Sequence, residues 1–385
     1  MKLMDNKNRI LDCHIHYSLP VTPYELFDIM DHTKTNMANL VIVPDRQRIS
    51  SVPEALMVKY LNPNKIFVFA CLDVTQYFMH KNSVGKHFVK YVKRMLKCGC
   101  DGIKMIEGKP DLRRTVPIPD FDLPVWDPFW AFAEAVGLPI LWHVNDPEEF
   151  WDKSKIPTWA KDRGWFYGED TINNEDQYRQ VLTVLKRHPR LKLIFAHFFF
   201  MSAQLERLSK IFDEYPNVCV DLTPGIEMYI NFSNNISEVT RFFERFQSRI
   251  LYGTDIGARI VLSEGFDLNE TKSESLNRSN LVRTFLTKSG QYTIQSDGNF
   301  LIGVEDFQLP ALNLPLEVCQ KIFYGNFIRL VSEKPKQVNS EMVIKECKKI
   351  KFMIRIMSLL KLIKNPDYSY ANQVIDFFKN KKKEY

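Results

Sequence analysis

Ile10-Leu11-Asp12-Cys13-His14-Ile15-His16 closes a short apolar run near the start of the chain. Side chains alternate along a strand, so residues two apart share a face. His14 and His16 therefore lie together, and two imidazoles at the end of an early strand are able to grip one metal ion. Alone the pair is weak evidence, because His-X-His is short and a core-edge histidine pair accounts for most such matches. Its meaning depends on what the other strands end in.

Counting from 9–16, eight apolar, β-branched runs recur, the rest at 39–44, 65–72, 102–107, 138–144, 191–198, 217–223 and 250–256. Such runs suit strands buried on both faces. Amphipathic segments separate them. Residues 84–97 place Val84, Phe88, Val92 and Leu96 at helical spacing and stop at Cys98-Gly99, and 127–136 stops at Gly137. Residues 177–186, 202–212 and 239–246 repeat the pattern. Eight strands alternating with helices predict an α/β fold, a closed (β/α)8 TIM barrel. At 385 residues the chain accommodates such a barrel of about 250 residues plus insertions.

Three insertions are expected, after strands 5, 7 and 8, on the active-site face of this architecture. The first, 145–175, is dense in aromatics: Phe150, Trp151, Trp159, Trp165, Phe166 and Tyr167. The second is 224–236. The third, 257–306, suggests a hairpin over 292–302 turning at Ser296-Asp297-Gly298. Beyond Asp306 helices are expected at 316–332, packed under the barrel, and at 341–364 and 373–379. The domain reading is a barrel over 1–335 and a basic helical C-terminal extension over 336–385.

Apolar residues make up 45% and charged residues 25%, ordinary for a globular protein. No apolar run reaches the length of a membrane-spanning helix, and the first residues lack the apolar core of a signal peptide. The seven cysteines are scattered, and Cys98-Gly99-Cys100 is too tight for the usual zinc spacing. That usage fits a reduced, cytoplasmic protein. The net charge of +6 gathers near the C-terminus, where a solvated tail is expected rather than a nucleic-acid surface. The expected partner is a small-molecule substrate, without nucleic acid or membrane; a homodimer stays open.

The polar residues at the strand ends form a pattern. Strand 1 ends in His14 and His16, strand 4 carries Lys104, strand 5 ends in His143, strand 6 in His197 and strand 8 in Asp255. In a closed barrel these ends meet at one mouth. Neutral imidazoles and a carboxylate suit zinc and similar divalent ions, which bring the pKa of a water toward about 7. An aspartate beside that water is able to take its proton and pass it on. A lysine there makes sense as a carbamate bridging two metals, or as a cation that receives an anionic substrate group.

These motifs, His14-Ile15-His16, Gly102-Ile103-Lys104-Met105, His143, His197 and Thr254-Asp255, resemble those of the amidohydrolase superfamily. The likeness is to its amidohydrolase-related branch, often labelled "amidohydrolase 2", of metal-dependent hydrolases. The stretch Ile322–Leu330 is similar to that branch's C-terminal signature, and the resemblance covers about residues 9 to 332. It implies that His14 and His16 bind one ion, with Asp255 as a further ligand and proton acceptor. In a two-ion site Lys104 bridges and His143 and His197 bind the second ion. In a one-ion site His143 completes the first set, and His197 polarises substrate or orients water. Zinc is the expected ion, with manganese as the alternative.

The function implied is hydrolysis of an amide, lactone or ester bond of a small polar substrate by metal-activated water. The alternatives are nonoxidative decarboxylation of a small carboxylic acid, and a non-catalytic barrel serving as a binding or scaffold protein. Asn145, Arg259 and Glu227 are the expected substrate contacts. The aromatic segment 159–168 departs from the resemblance and is the expected source of specificity.

Overall fold

A computed structural model describes residues 9–18, 21–44, 49–257, 267–294, 307–361 and 365–381. Eight parallel strands run in sequence order: β1 (Leu11–His16), β2 (Met37–Val41), β3 (Ile66–Cys71), β4 (Gly102–Gly108), β5 (Pro139–Val144), β6 (Lys192–Phe195), β7 (Val218–Asp221) and β8 (Ile250–Leu251). The first and last meet through backbone bonds. The Cys13 amide donates to the Tyr252 carbonyl (3.0 Å), the His16 amide to Ile256 (2.8 Å) and the Asp255 amide to His14 (2.9 Å). The sheet thus closes as a TIM barrel, and the same bonds join the segment bearing His14 and His16 to the one bearing Asp255.

Leu11, Cys13, Val41, Phe67, Phe69 and Leu141 fill the barrel interior. A register shift between Asp12 and Ile15 then brings His14 and His16 inward while Ile15 packs outward. Such a bulge re-aims side chains where a plain strand would keep its alternation. The base of the barrel is plugged from outside. The segment from Leu316 to Leu330, helical with a π turn at Lys321–Gly325, sets Phe327 edge-on against Phe67 at 5.0 Å. Asn326 Nδ2 fastens this plug by donating to the carbonyls of Gln247 and Ile250, both at 2.7 Å.

The helices between strands bury one face against the outer sides of the strands. Val84–Cys98 and Asp127–Val136 stop at Gly99 (φ 111°) and Gly137 (φ 60°), the left-handed ends that only glycine adopts without strain. Two strands are shorter than their apolar runs: β6 stops at Phe195 and β8 at Leu251, so His197 and Asp255 stand on turns beyond them. In the third insertion Gln291–Ile294 pairs antiparallel with Phe307–Pro310, later than the expected arm. The expected turn at Ser296-Asp297-Gly298 lies outside the described residues. That insertion also carries a helix the pattern did not announce, Leu268–Thr287.

The C-terminal residues 340–361 and 365–381 form a packed layer, and most of its lysines are exposed to solvent. The Lys336 amide donates to Asp101 Oδ1 (2.8 Å) and the Asn339 amide to the Cys98 carbonyl (3.0 Å). Val343, Cys347 and Ile354 of the helix Ser340–Leu359, and Val374, Ile375 and Phe378 of Ser369–Lys381, are buried. All seven cysteines are buried and free, and no helix among the described residues is long and apolar enough to cross a membrane.

Candidate metal centre and substrate cavity

His14 is fully buried and fixed from behind. Its Nδ1 lies 2.8 Å from Asp221 Oδ2 and 3.1 Å from Thr223 Oγ1. The Asp221 carboxylate only accepts, so Nδ1 carries the proton and Nε2 presents a bare lone pair. Burial, then the nearby Lys104 ammonium, pushes the His14 pKa down to about 4 and keeps the ring neutral. Around that lone pair stand His16 Nε2 at 3.3 Å, Lys104 Nζ at 3.0 Å and Asp255 Oδ1 at 3.5 Å. Asp255 Oδ1 is also 3.0 Å from His16 Nε2.

His14, His16 and Asp255 thereby offer three donor atoms within 4.8 Å of one another, the one such group among the described residues. The chemistry of the set fits a divalent ion. The bare Nε2 of His14 faces Asp255 Oδ1 at 3.5 Å, an approach of two lone pairs that a cation between them relieves, and the carboxylate behind His14 is the usual orienting partner of a metal-bound histidine. Burial pushes Asp255 up, but the hydrogen bond and charge of His16 outweigh it and hold its carboxyl well below the usual range. Burial lowers Lys104 to about 8, so its amine loses a proton at little cost near neutrality.

Several backbone features serve these positions. Asp255 sits at φ 60°, and His197, Phe198, Phe199 and Phe200 form a left-handed run with φ between 52° and 60°. Such a run costs roughly 1–2 kcal/mol per residue and needs outside support. Asp221 Oδ1 accepts the His197 amide at 2.8 Å, Tyr178 donates its hydroxyl to the Phe199 carbonyl at 3.0 Å, and Phe199 stacks on Phe195 at 3.8 Å. Asp221 thus holds His14 with one oxygen and the His197 turn with the other. Gly253 is needed beside them, because a Cβ there would meet Thr223 Oγ1 at 2.7 Å.

His143 and His197 face the same cavity but lie outside the three-donor group. Their rings are 5.0 Å apart, and burial, with His143 next, lowers His197 to about 3. His143 Nε2 is 3.1 Å from Asp146 Oδ1, and Asp146 also accepts from Lys109 Nζ (2.9 Å) and the Tyr167 hydroxyl. The Lys109 ammonium in turn lies 4.4 Å from the centre of the Trp165 ring. Strand 5 and the aromatic insertion are in this way tied through one buried carboxylate.

The cavity over these groups has a volume of about 250 Å³ and largely apolar walls, including Ile106, Phe150, Trp159, Trp165 and Phe200. Glu227 and Arg278 are among the ionisable side chains that interrupt them. Glu227 lies on the wall, and burial pushes its carboxyl up to about 8, so it is protonated at neutral pH. Arg278, buried, comes from the helix Leu268–Thr287. Glu274 Oε1 accepts from its Nε (3.0 Å) and Nη2 (2.9 Å), and its Nη1 points toward Asp255 Oδ2 at 3.5 Å.

Of the expected substrate contacts, Glu227 is on the cavity wall and Asn145 is not. Asn145 is fully buried and turned away, donating to the Asn174 carbonyl (3.2 Å) and accepting from Gln177 Nε2 (2.5 Å). Its positive φ of 68° breaks the strand alternation that placed it beside His143. Arg259 lies outside the described residues. Sequence reading missed Asp221, Asp146 and Arg278. Asp221 ends β7 and was open to the rule that found the others; Asp146 follows His143 by three; Arg278 carries no sequence signal.

The comparisons with known proteins bear on the family and the fold. A family profile described as amidohydrolase matches residues 85–332. No curated protein matches the chain. Among solved structures, an uncharacterised TIM-barrel protein of Bordetella bronchiseptica is similar at 12% identity, TM-score 0.50, covering 84% of this chain and 98% of that one. A 5-carboxyvanillate decarboxylase of Sphingomonas paucimobilis is similar to the same degree: 12% identity, TM-score 0.50, coverage 84% and 98%. At such identities the likeness is one of fold.

Proposed function

Since the chain belongs to the amidohydrolase family, we infer that it is a metal-dependent hydrolase acting on an amide, lactone or ester bond of a small molecule with a largely apolar body. The observation that carries this reading is the meeting of His14 Nε2, His16 Nε2 and Asp255 Oδ1 at one point under an apolar cavity, with Asp221 behind His14. His14, His16 and Asp255 would hold a divalent ion, zinc or manganese, which would supply Lewis acidity and lower the pKa of a water. The remaining work falls to side chains. Asp255, held ionised, accepts the water's proton and returns it to the leaving group. His197, kept neutral by burial, donates to or orients the reacting carbonyl. Protonated Glu227 donates a hydrogen bond to the substrate, and the aromatic walls exclude water.

One ion fits better than two. Asp146 occupies His143 Nε2, and Lys104 Nζ lies against His14 with no second three-donor group among the described residues. A one-ion decarboxylase is the second reading, favoured by the apolar walls, since a carboxylate loses its hydration on entering them.

Metal analysis of protein purified without chelators tests the core of the proposal. About one equivalent of zinc or manganese is expected, lost in His16→Ala and Asp255→Asn while circular dichroism stays unchanged. No stoichiometric metal, even after loading, would leave a scaffold barrel. Incubation of metal-loaded protein in isotopically labelled water with aromatic esters, lactones and acids then separates the two chemistries. Hydrolysis places the label in the product acid, whereas decarboxylation releases carbon dioxide.

A further inference from the structure

The charge of this chain is divided unevenly. Residues 336–385 carry twelve Lys and Arg against five Asp and Glu, while the whole chain nets only +6, so the rest is close to neutral. The helix Ser340–Leu359 displays much of that charge. Its buried face is Val343, Cys347, Ile350 and Ile354. The opposite stripe holds exposed Lys345, Lys348 and Arg355, with Glu341 at its start. Along the same stripe stand Phe352 (61% exposed) and Leu359 (83%), and Leu360 (63%) follows at the helix end. An apolar ridge edged by cations is the pattern of a helix lying in an anionic interface with its long axis in the plane.

The placement of this helix matters. It starts beside Cys98 and Gly99, at the closed end of the barrel, where the Asn339 amide meets the Cys98 carbonyl. Its later turns, Ile350 and Ile354, pack on Ile49, past the end of β2 at the mouth side. The exposed Phe352, Leu359 and Leu360 are therefore toward the mouth end. A surface that binds this ridge would bring the cavity and its apolar walls toward that surface.

We propose that the face formed by Lys345, Lys348, Phe352, Arg355, Leu359 and Leu360 docks the protein peripherally on an anionic lipid bilayer. This revises the expectation of no membrane partner, without any crossing of the bilayer. The charge argues against a second copy of the same face, which would set cation against cation. The apolar ridge argues against nucleic acid, whose phosphates offer nothing to two exposed leucines. Lipid satisfies both halves: headgroup charge for the lysines, and acyl boundary for Phe352 and Leu359.

Co-sedimentation of the full chain with vesicles tests this, using phosphatidylcholine alone and phosphatidylcholine mixed with phosphatidylglycerol. Binding is expected only to the mixed vesicles. It should weaken about five-fold for each of Lys345→Gln and Lys348→Gln, and about tenfold or more in Phe352→Ser/Leu359→Ser. All four positions are exposed, so the variants fold. No binding of the unaltered chain overturns the proposal. So does binding that the Phe352→Ser/Leu359→Ser variant retains in full, which marks a purely electrostatic, polyanion-type surface. A dimer in size-exclusion chromatography with light scattering that Leu359→Ser dissociates, without vesicle binding, would instead assign the ridge to a copy of this chain. None of these readouts depends on turnover.

Discussion

Replacing Asp221 by Asn removes one negative charge from behind His14 and leaves the side chain's shape. In the native protein Asp221 Oδ2 accepts the proton of His14 Nδ1 at 2.8 Å, while Oδ1 accepts the amides of His197 (2.8 Å) and Thr223 (3.1 Å). An asparagine has one accepting oxygen for these donors. Whichever way it turns, its amide nitrogen faces an N–H, either that of His14 or those of the backbone turn. If the oxygen stays on the backbone, the amide nitrogen donates to His14 Nδ1 and moves the imidazole proton to Nε2, the atom that faces His16 and Asp255. The lone pair needed for the ion is then gone. If it turns to His14, two buried backbone donors lose their acceptor, at roughly 1–3 kcal/mol each. Loss of an orienting carboxylate costs about 10–100-fold in metal affinity, or about 1.4–2.7 kcal/mol. The assay is a competition titration of zinc or manganese against a chromophoric chelator, beside urea unfolding of the metal-free protein. Weaker metal binding by at least about tenfold is expected, with a folded protein. Native metal affinity in a folded Asp221→Asn variant would refute both the tautomer assignment and the role of His14 as a ligand.

Glu107 is fully buried, and burial pushes its carboxyl from 4.5 up to about 7. The folded state therefore holds a proton that the unfolded chain has released, so stability falls as pH rises from about 4.5 to about 7. Glu107→Gln should remove about 3 kcal/mol of that decline relative to the native chain, read from urea midpoints across the range; parallel profiles would contradict it. Phe327→Ala empties the plug against Phe67 and should cost about 3–5 kcal/mol in unfolding free energy, and a loss under 1 kcal/mol would show that the base of the barrel is sealed otherwise. Arg278→Met takes the Arg278 guanidinium from the buried Glu274 carboxylate and should cost about 3–5 kcal/mol. Adding Glu274→Leu should restore most of it, and simple additivity in this cycle would mean that the pair is not coupled.

The barrel was legible because buried parallel strands must be apolar on both faces, and eight such runs stand out between amphipathic helices. Their polar ends were legible for the same reason: a histidine or lysine closing an apolar run is out of place unless it has a task. His14, His16, Lys104, His143, His197 and Asp255 all reached one mouth by this route. Asn145 failed because periodicity assumes a continuing strand, and a left-handed residue ends it. The helix Leu268–Thr287 was hidden because its buried face includes Thr271, Glu274, Ser275 and Arg278, which no apolar spacing reports.

By itself the sequence determined the sheet, the order of its strands and the residue types offered at the mouth, since burial periodicity is a local property of the chain. Tertiary structure decided which of them share a point. The bulge between Asp12 and Ile15 turns His14 inward, Asp221 from six strands away fixes its tautomer, and Asp146 draws His143 out of the three-donor group. Those outcomes depend on hydrogen bonds between residues up to about 200 positions apart. Spacing along one strand carries no record of them.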